Sequence, residues 1–350
     1  MSEDVWSAQD TTPDEIDAAL RHLLRERHAA DRSLAPARVL NLIVVADRAW
    51  KGEVANRLER VGRYQASRTI LCSVEEKRQT LDAVAVMRYD ESPGGSLSVM
   101  HEQVEIDVGP EHLSRLDTII DPVLVPGLTT LLWVPQGHQE AIDALLPMTD
   151  VILLDSDDDE DVGPALARAS KLQGSVYVVD LAWLRTTPWR ERLASSFDLP
   201  DRRVGLREVR EVAVRHRPTS TASATLLAGW LASRLGWEPA PLSAADGGEL
   251  HAQARRNGDQ IKVILTPHDQ EMPGLGGVTV GWRDCCALSL DRAQGGLCAQ
   301  EKCGDGTEQT WQVLGSSRGE GRILGEGVRQ ALLRDSTYAP ALTAARGFRP

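Results

Sequence analysis

The sequence predicts an α/β N-terminal domain with a mostly parallel sheet over residues 1–200. A smaller α+β domain is expected over 201–338, with a loose C-terminal tail over 339–350. Three observations carry that reading. A chain of 350 residues has room for two domains of the usual ~100–200 residues each. Between residues 39 and 179, short apolar runs alternate with stretches of helical period, the rhythm of a parallel sheet linked by helices. Past residue 200, short strand-like segments lie between glycine-rich turns and are accompanied by two helices, which is an antiparallel α+β pattern.

Residues 1–11 are polar and read as a loose lead. Thr12, Pro13 and Glu15 form a capping box with Pro at the first helical position, and Ile16, Leu20, Leu23 and Leu24 share a stripe, so a helix is expected to about His28. Val39–Ala46 is a continuous apolar run, hence a buried parallel strand. A helix over about 50–62 and a strand at Thr69–Val74 complete a βαβ unit. Leu81–Arg88 and Ser98–Val108 read as a hairpin around the turn at Ser92–Gly95, although the second segment does not alternate cleanly. A helix over 110–120 leads into the apolar, turn-rich loop Asp121–Gly127, of the kind that packs. Strands at Leu128–Val134 and Val151–Leu154 flank a helix over 139–146. The acidic run Asp155–Asp161 has Glu160 where a calcium loop needs Gly and Leu166 where it needs Glu. It therefore reads as a solvated loop whose last acids favour the next helix N-terminus, over 162–172.

Pro200–Arg203 reads as the domain boundary. Glu208–His216 follows as a strand, then a helix from Ser220 to Leu235 closed by Gly236. Short strands are expected at Ile261–Thr266, Gly277–Trp282, Ala287–Asp291 and Thr310–Leu314, with a closing helix over 321–334. Past the closing helix, over 336–350, Tyr338 and Phe348 are the side chains able to dock.

Composition narrows the function. The net charge of −12 argues against a nucleic-acid partner. No apolar run reaches the ~18 residues of a membrane span, and the acidic N-terminus lacks the regions of a signal peptide. A soluble cytoplasmic protein is the expectation. Gly274–Gly277 precedes a strand rather than joining a strand to a helix, Gly319, Gly321 and Gly325 miss the dinucleotide spacing, and no Walker A or G-x-S-x-G motif exists. The eight His are scattered. A non-enzyme without cofactor or metal is expected, though catalytic groups dispersed in sequence leave an enzyme open.

Two stretches stand out. Asp180–Asp198 holds two of the nine Trp and one of the two Phe. Val176–Val179 before it is a buried strand, Thr187 and Pro188 read as N-cap and first helical residue, and Trp189, Leu193 and Phe197 share one helical face. Its Trp residues are either core anchors or part of a contact surface, since Trp and Arg dominate interface hot spots. The other stretch is a cysteine cluster: Cys285, Cys286, Cys298 and Cys303. Its spacing is wrong for zinc, so it is either structural or a redox pair. Cys298 and Cys303 lie in a polar segment that could close on itself, with Lys302 placed to lower a thiol pKa. Cys72 sits in a strand and reads as buried filler.

Asp180-Leu-Ala-Trp-Leu-Arg-Thr-Thr-Pro-Trp-Arg190 resembles the central signature of the OpcA family, the glucose-6-phosphate dehydrogenase assembly proteins. Arg38–Val45, Ser67–Leu71, Pro122–Pro135 and Ala224–Gly236 resemble that family in the same order, so the likeness covers most of the chain. It implies a non-catalytic accessory protein that binds glucose-6-phosphate dehydrogenase, promotes its active oligomer or substrate affinity, and so controls the oxidative pentose phosphate pathway. For cyanobacterial members the family also implies redox control involving thioredoxin, without fixing which cysteines pair. On this reading Trp183, Arg185, Trp189 and Arg190 contribute to the contact or to the frame behind it. The alternative is an enzyme or sensor binding a sugar phosphate or nucleotide at the carboxyl ends of the first-domain strands.

Overall fold

A computed structural model describes residues 2–30, 38–62, 67–89, 100–282, 286–314 and 320–349. The chain forms two compact units. One comprises the chain up to Leu154 with Val176–Val179 and Leu324–Leu333; the other comprises Asp155–Ser175, Asp180–Ile323 and the chain from Arg334 onward. The expected boundary at Pro200–Arg203 is displaced. Those residues begin the helix Pro200–Gly205 inside the second unit, because a proline at the first helical position starts a helix as readily as it marks a linker. The helix Glu320–Leu333, expected to close the second domain, gives its residues from Leu324 onward to the first unit.

The first unit is built on an eight-stranded sheet. In spatial order its strands are Ser2–Ala8, Asp82–Tyr89, Met100–Val108, Ser67–Val74, Leu40–Asp47, Thr129–Trp133, Val151–Leu154 and Tyr177–Asp180. Met100–Val108 through Val151–Leu154 pair in parallel, and the two strands before them are antiparallel. The expected loose lead is instead the edge strand Ser2–Ala8, in register from Ser2↔Tyr89 to Ala8↔Ala83. From Glu3 to Ala8 its residues alternate between exposed and half-buried, so an edge strand of this kind needs no apolar run to form. The capping box of the Pro13–Ala30 helix is present: the Glu15 amide donates to Thr12 Oγ1 (3.4 Å) and the Thr12 amide to Glu15 Oε2 (3.1 Å).

Met100–Val108 does alternate, with Glu102 as an inward member. Glu102 is 2% exposed because Arg68 Nε (2.8 Å) and Arg38 Nε (2.9 Å) both donate to its carboxylate. The expected turn at 92–95 lies outside the described residues. The loop after residue 120 is packed: Asn41 donates to the Val125 carbonyl (3.1 Å) and accepts from its amide (3.0 Å), and Arg68 donates to the Val123 carbonyl (2.8 Å).

The second unit holds another eight-stranded sheet. Its order is Ser243–Ala244, Leu250–Arg256, Asp259–Pro267, Val209–His216, Leu275–Trp282, Cys286–Ala293, Gly296–Lys302 and Glu308–Leu314. The pairings are antiparallel except that of Asp259–Pro267 with Val209–His216, so the expected antiparallel sheet contains one parallel junction. The helix Thr221–Leu235 is buried nearly all round and is capped by Gly236 at φ +68°. It packs on this sheet and on the helix Tyr338–Gly347. Gly229 permits that approach, since a Cβ there would stand 2.7 Å from the Ala345 Cβ. The expected loose tail is therefore a docked helix, with Tyr338 2% and Phe348 0% exposed. Pro340 does not prevent it, because the first helical turn needs no amide donors.

Candidate functional site: a buried polar frame in the second unit

The stretch Asp180–Phe197 is two helices, Leu181–Arg185 and Thr187–Ser196. Asp180 caps the first, accepting from the Ala182 amide at 3.0 Å. The expected cap Thr187 is the first residue of the second helix, and Thr186 precedes it as N-cap. Trp189, Leu193 and Phe197 are buried together against Val212, Val214 and Leu227, as their spacing requires.

Around these helices lies a network of charged and polar side chains. Both oxygens of Asp155 accept from Arg185 at 2.6 Å, and Arg185 also reaches Asp157 at 3.3 Å. Asp157 accepts from the Ser223 amide at 2.9 Å, and the Ser223 hydroxyl donates to the Ala182 carbonyl at 3.0 Å. Asp180 accepts from the Ser156 hydroxyl (2.6 Å) and from Tyr338 (2.9 Å). Trp183 Nε1 donates to Asp335 (2.8 Å), whose other oxygen accepts from the Thr337 amide (2.8 Å). The Arg190 guanidinium lies 3.5 Å from the Trp183 ring centroid and donates to Thr186 Oγ1 at 2.9 Å. Asp155, Asp180 and Asp335 stand at or beside points where the chain enters the second unit.

Two buried carboxylates share one guanidinium here. Burial first, and then the charge of Asp155, push Asp157 up to about 7 against the pull of Arg185. Burial also pushes Asp180 up to about 6 and Arg190 down to about 10. In Asp335, burial acts upward, but bonds from Thr337 and Trp183 outweigh it and hold the carboxyl below its usual range. Because Asp157 is raised in the folded state, the native protein takes up a proton that the unfolded chain releases. Stability from this group is complete below the unfolded value near ~3.9 and is lost as pH rises through about 7. Urea midpoints are therefore expected to rise from pH 7 to pH 6 by the equivalent of about 1 kcal/mol. Asp157→Asn should reduce that rise without abolishing it, because burial and then Asp155 also raise Asp158 to about 7; an unchanged slope in the variant would contradict the assignment.

All four sequence-derived candidates are interior: Trp183 is 2%, Arg185 9%, Trp189 1% and Arg190 9% exposed. Burial favours the frame reading over the contact-surface one. The acidic run is corrected: Asp155 and Ser156 are buried, held by Arg185 and Asp180. Asp161, at its end, caps the helix Val162–Gln173 as expected. Ser223 and Asp335 were missed, and Asp180 and Tyr338 were named without this role; of the four only Asp180, an Asp just before a helical run, carried a local signal for it.

The cysteines resolve by register. Cys286 and Cys303 extend the Ala287↔Lys302 pairing and form a disulfide. Cys298 is free and half-buried, and closure of Cys298 on Cys303 is ruled out. Five residues of extended strand separate their Cα atoms by roughly 16 Å, beyond any disulfide. Cys285 lies outside the described residues. Cys72 is buried in its strand, and its thiol is pushed up to about 12 by burial and then by Asp107.

The carboxyl ends of the first-unit strands carry charge, but it is cross-neutralised. Lys51 Nζ is 2.9 Å from Glu105 and from Asp107, and Arg48 is 2.6 Å from Asp107. The turn from Leu40–Asp47 into the helix Lys51–Gly62 runs through Arg48–Trp50 without a glycine cradle for phosphate. Among the described residues, no three His, Cys, Asp or Glu converge as a metal site.

Fold and frame define a mixed α/β protein with two large sheets, whose conspicuous polar side chains bind one another. Residues 58–171 match the family model described as glucose-6-phosphate dehydrogenase subunit N-terminal domain, and residues 176–342 match its C-terminal counterpart. The chain belongs to this family, OpcA. A protein carrying the name OxPP cycle protein OpcA from Synechococcus elongatus is 28% identical over 260 residues, 69% of this chain and 58% of the relative. Its namesake from Nostoc punctiforme is 32% identical over 139 residues, 39% of this chain and 30% of that one. The chain thus spans under two thirds of the length of these relatives. An oxidoreductase from Sinorhizobium meliloti superposes over 89% of this chain and 97% of its own, at 12% identity and a TM-score of 0.49.

Proposed function

We propose that this chain is a non-catalytic accessory protein that binds glucose-6-phosphate dehydrogenase and promotes its assembly or allosteric activation. The observation that carries the reading is the match of both parts of the chain to models of a subunit of that enzyme. The frame fits it: its charged groups bond to each other. The mechanism is a population shift, in which the chain binds the active assembly more tightly than the inactive one. The Cys286–Cys303 disulfide is the element on which redox control would act, with a dithiol reductant of the thioredoxin class as the partner that opens it.

The test is dehydrogenase rate against glucose 6-phosphate concentration, with and without this chain, in oxidised and reduced forms. A lower apparent KM or a higher maximal rate is expected, differing between the two thiol states. Cys286→Ser should behave as the reduced form in both. Unchanged parameters together with failure to co-elute with the enzyme would end the accessory reading.

A further inference from the structure

The sheet of the second unit ends in two unlike edges. One is Ser243–Ala244, two residues long. The other is Glu308–Leu314, paired on its inner side in unbroken register from Lys302↔Glu308 to Gly296↔Leu314. No described residue pairs with its outer side. Folded proteins blunt such edges with short strands, Lys, Pro, bulges or charge. Glu-Gln-Thr-Trp-Gln-Val-Leu has no Lys, Pro or Gly, and its one charge stands at the first position. The first unit handles its edges differently: Ser2–Ala8 carries Glu3 and Asp4, and Tyr177–Asp180 is four residues long.

We propose that Glu308–Leu314 joins two copies of this chain, the outer edges pairing antiparallel about a twofold axis at Trp311. A free row of backbone donors and acceptors is satisfied by another strand. Among possible strands, the same one from a second copy fits the charge pattern. Antiparallel self-pairing sets Glu308 against position 314, a leucine, so no like charges meet. Thr310 then faces Gln312, Gln309 faces Val313, and Trp311 faces its symmetry mate.

The two faces of the strand also match. Trp311 and Val313 lie opposite Ala299 and Leu297, which are buried in the core, and are themselves half-buried; Thr310 and Gln312 are exposed. Self-pairing continues the core face of one copy into that of the other. The indole is already oriented, with the Arg202 guanidinium 4.7 Å from its ring and held by Glu301. A twofold pairing of this kind is closed and stops at two copies. It is independent of the dehydrogenase role.

Sedimentation equilibrium of the full chain over a wide concentration range tests this. The wild type is expected to dimerise. Thr310→Lys with Gln312→Lys, both at exposed positions, sets lysine against lysine across the junction and should leave a monomer with unchanged circular dichroism and urea midpoint. Trp311→Lys and Trp311→Glu should each be monomeric and form a dimer when mixed. Should the Trp311 variants fail to fold, the lysine double variant decides alone. The proposal is overturned by a wild type that stays monomeric, by a double variant that dimerises like wild type, or by folded Trp311 variants that do not recombine. A monomer that uses this strand only to capture the dehydrogenase overturns it as well.

Discussion

Arg185→Ala is expected to destabilise the second unit by about 3–5 kcal/mol at pH 8, the cost of breaking a buried pair from one side. Arg185 is the cation between Asp155 and Asp157, and all three side chains are 7–8% exposed. Removing it leaves two carboxylates without the charge that offsets their burial. The penalty should shrink toward pH 5, because a protonated carboxyl needs no cation and Asp157 is already raised to about 7 with Arg185 present. Arg185→Lys should fall between, since an ammonium restores charge but not the fork that meets both Asp155 oxygens. Urea denaturation followed by Trp fluorescence at both pH values reads these differences. A loss below about 1 kcal/mol at pH 8, the size of a solvated pair, would show that the frame is not dry.

Arg185 also shows where sequence reading stops. Its type and position were visible, but its partners lie thirty and twenty-eight residues earlier in a run that looks solvated. An acidic loop and a buried ion-pair cluster have the same composition, and only the fold supplies the cation. Elements whose signals are local were legible: the Thr12–Glu15 capping box, the apolar parallel strands, and Gly236 closing its helix. Elements that bury only small residues were not. In Leu250–Arg256 the fully buried side chains are Ala252 and Ala254, so its alternation carries little apolar contrast. Gly296–Lys302, which buries only Leu297 and Ala299, was missed too, and with it the register that joins Cys286 to Cys303. The docked C-terminal helix depends on Gly229, more than a hundred residues away, lacking a side chain.

Trp189→Ala is expected to lower the stability of the second unit by about 3–5 kcal/mol. Trp189 is 1% exposed and packs in one cluster with Leu193, Phe197, Val212 and Trp282. Phe197 meets Trp282 edge-on at 5.4 Å, so the cluster that would have to close the cavity holds an aromatic pair with little freedom to move. Trp189→Phe keeps much of the volume and should lose distinctly less. The two variants separate frame from contact. If Trp189 acts only through the core, dehydrogenase binding should follow the folded fraction in both, and Trp189→Phe should bind like wild type wherever it is folded. Trp183 provides the comparison, because its ring also carries Arg190 and its Nε1 holds Asp335. Trp183→Phe should lose the hydrogen bond while keeping most of the packing, leaving Asp335 with Thr337 and Arg190 as its remaining partners among these groups. A folded Trp189→Phe that fails to bind the dehydrogenase would return this helix to the interface and refute its assignment to the interior frame.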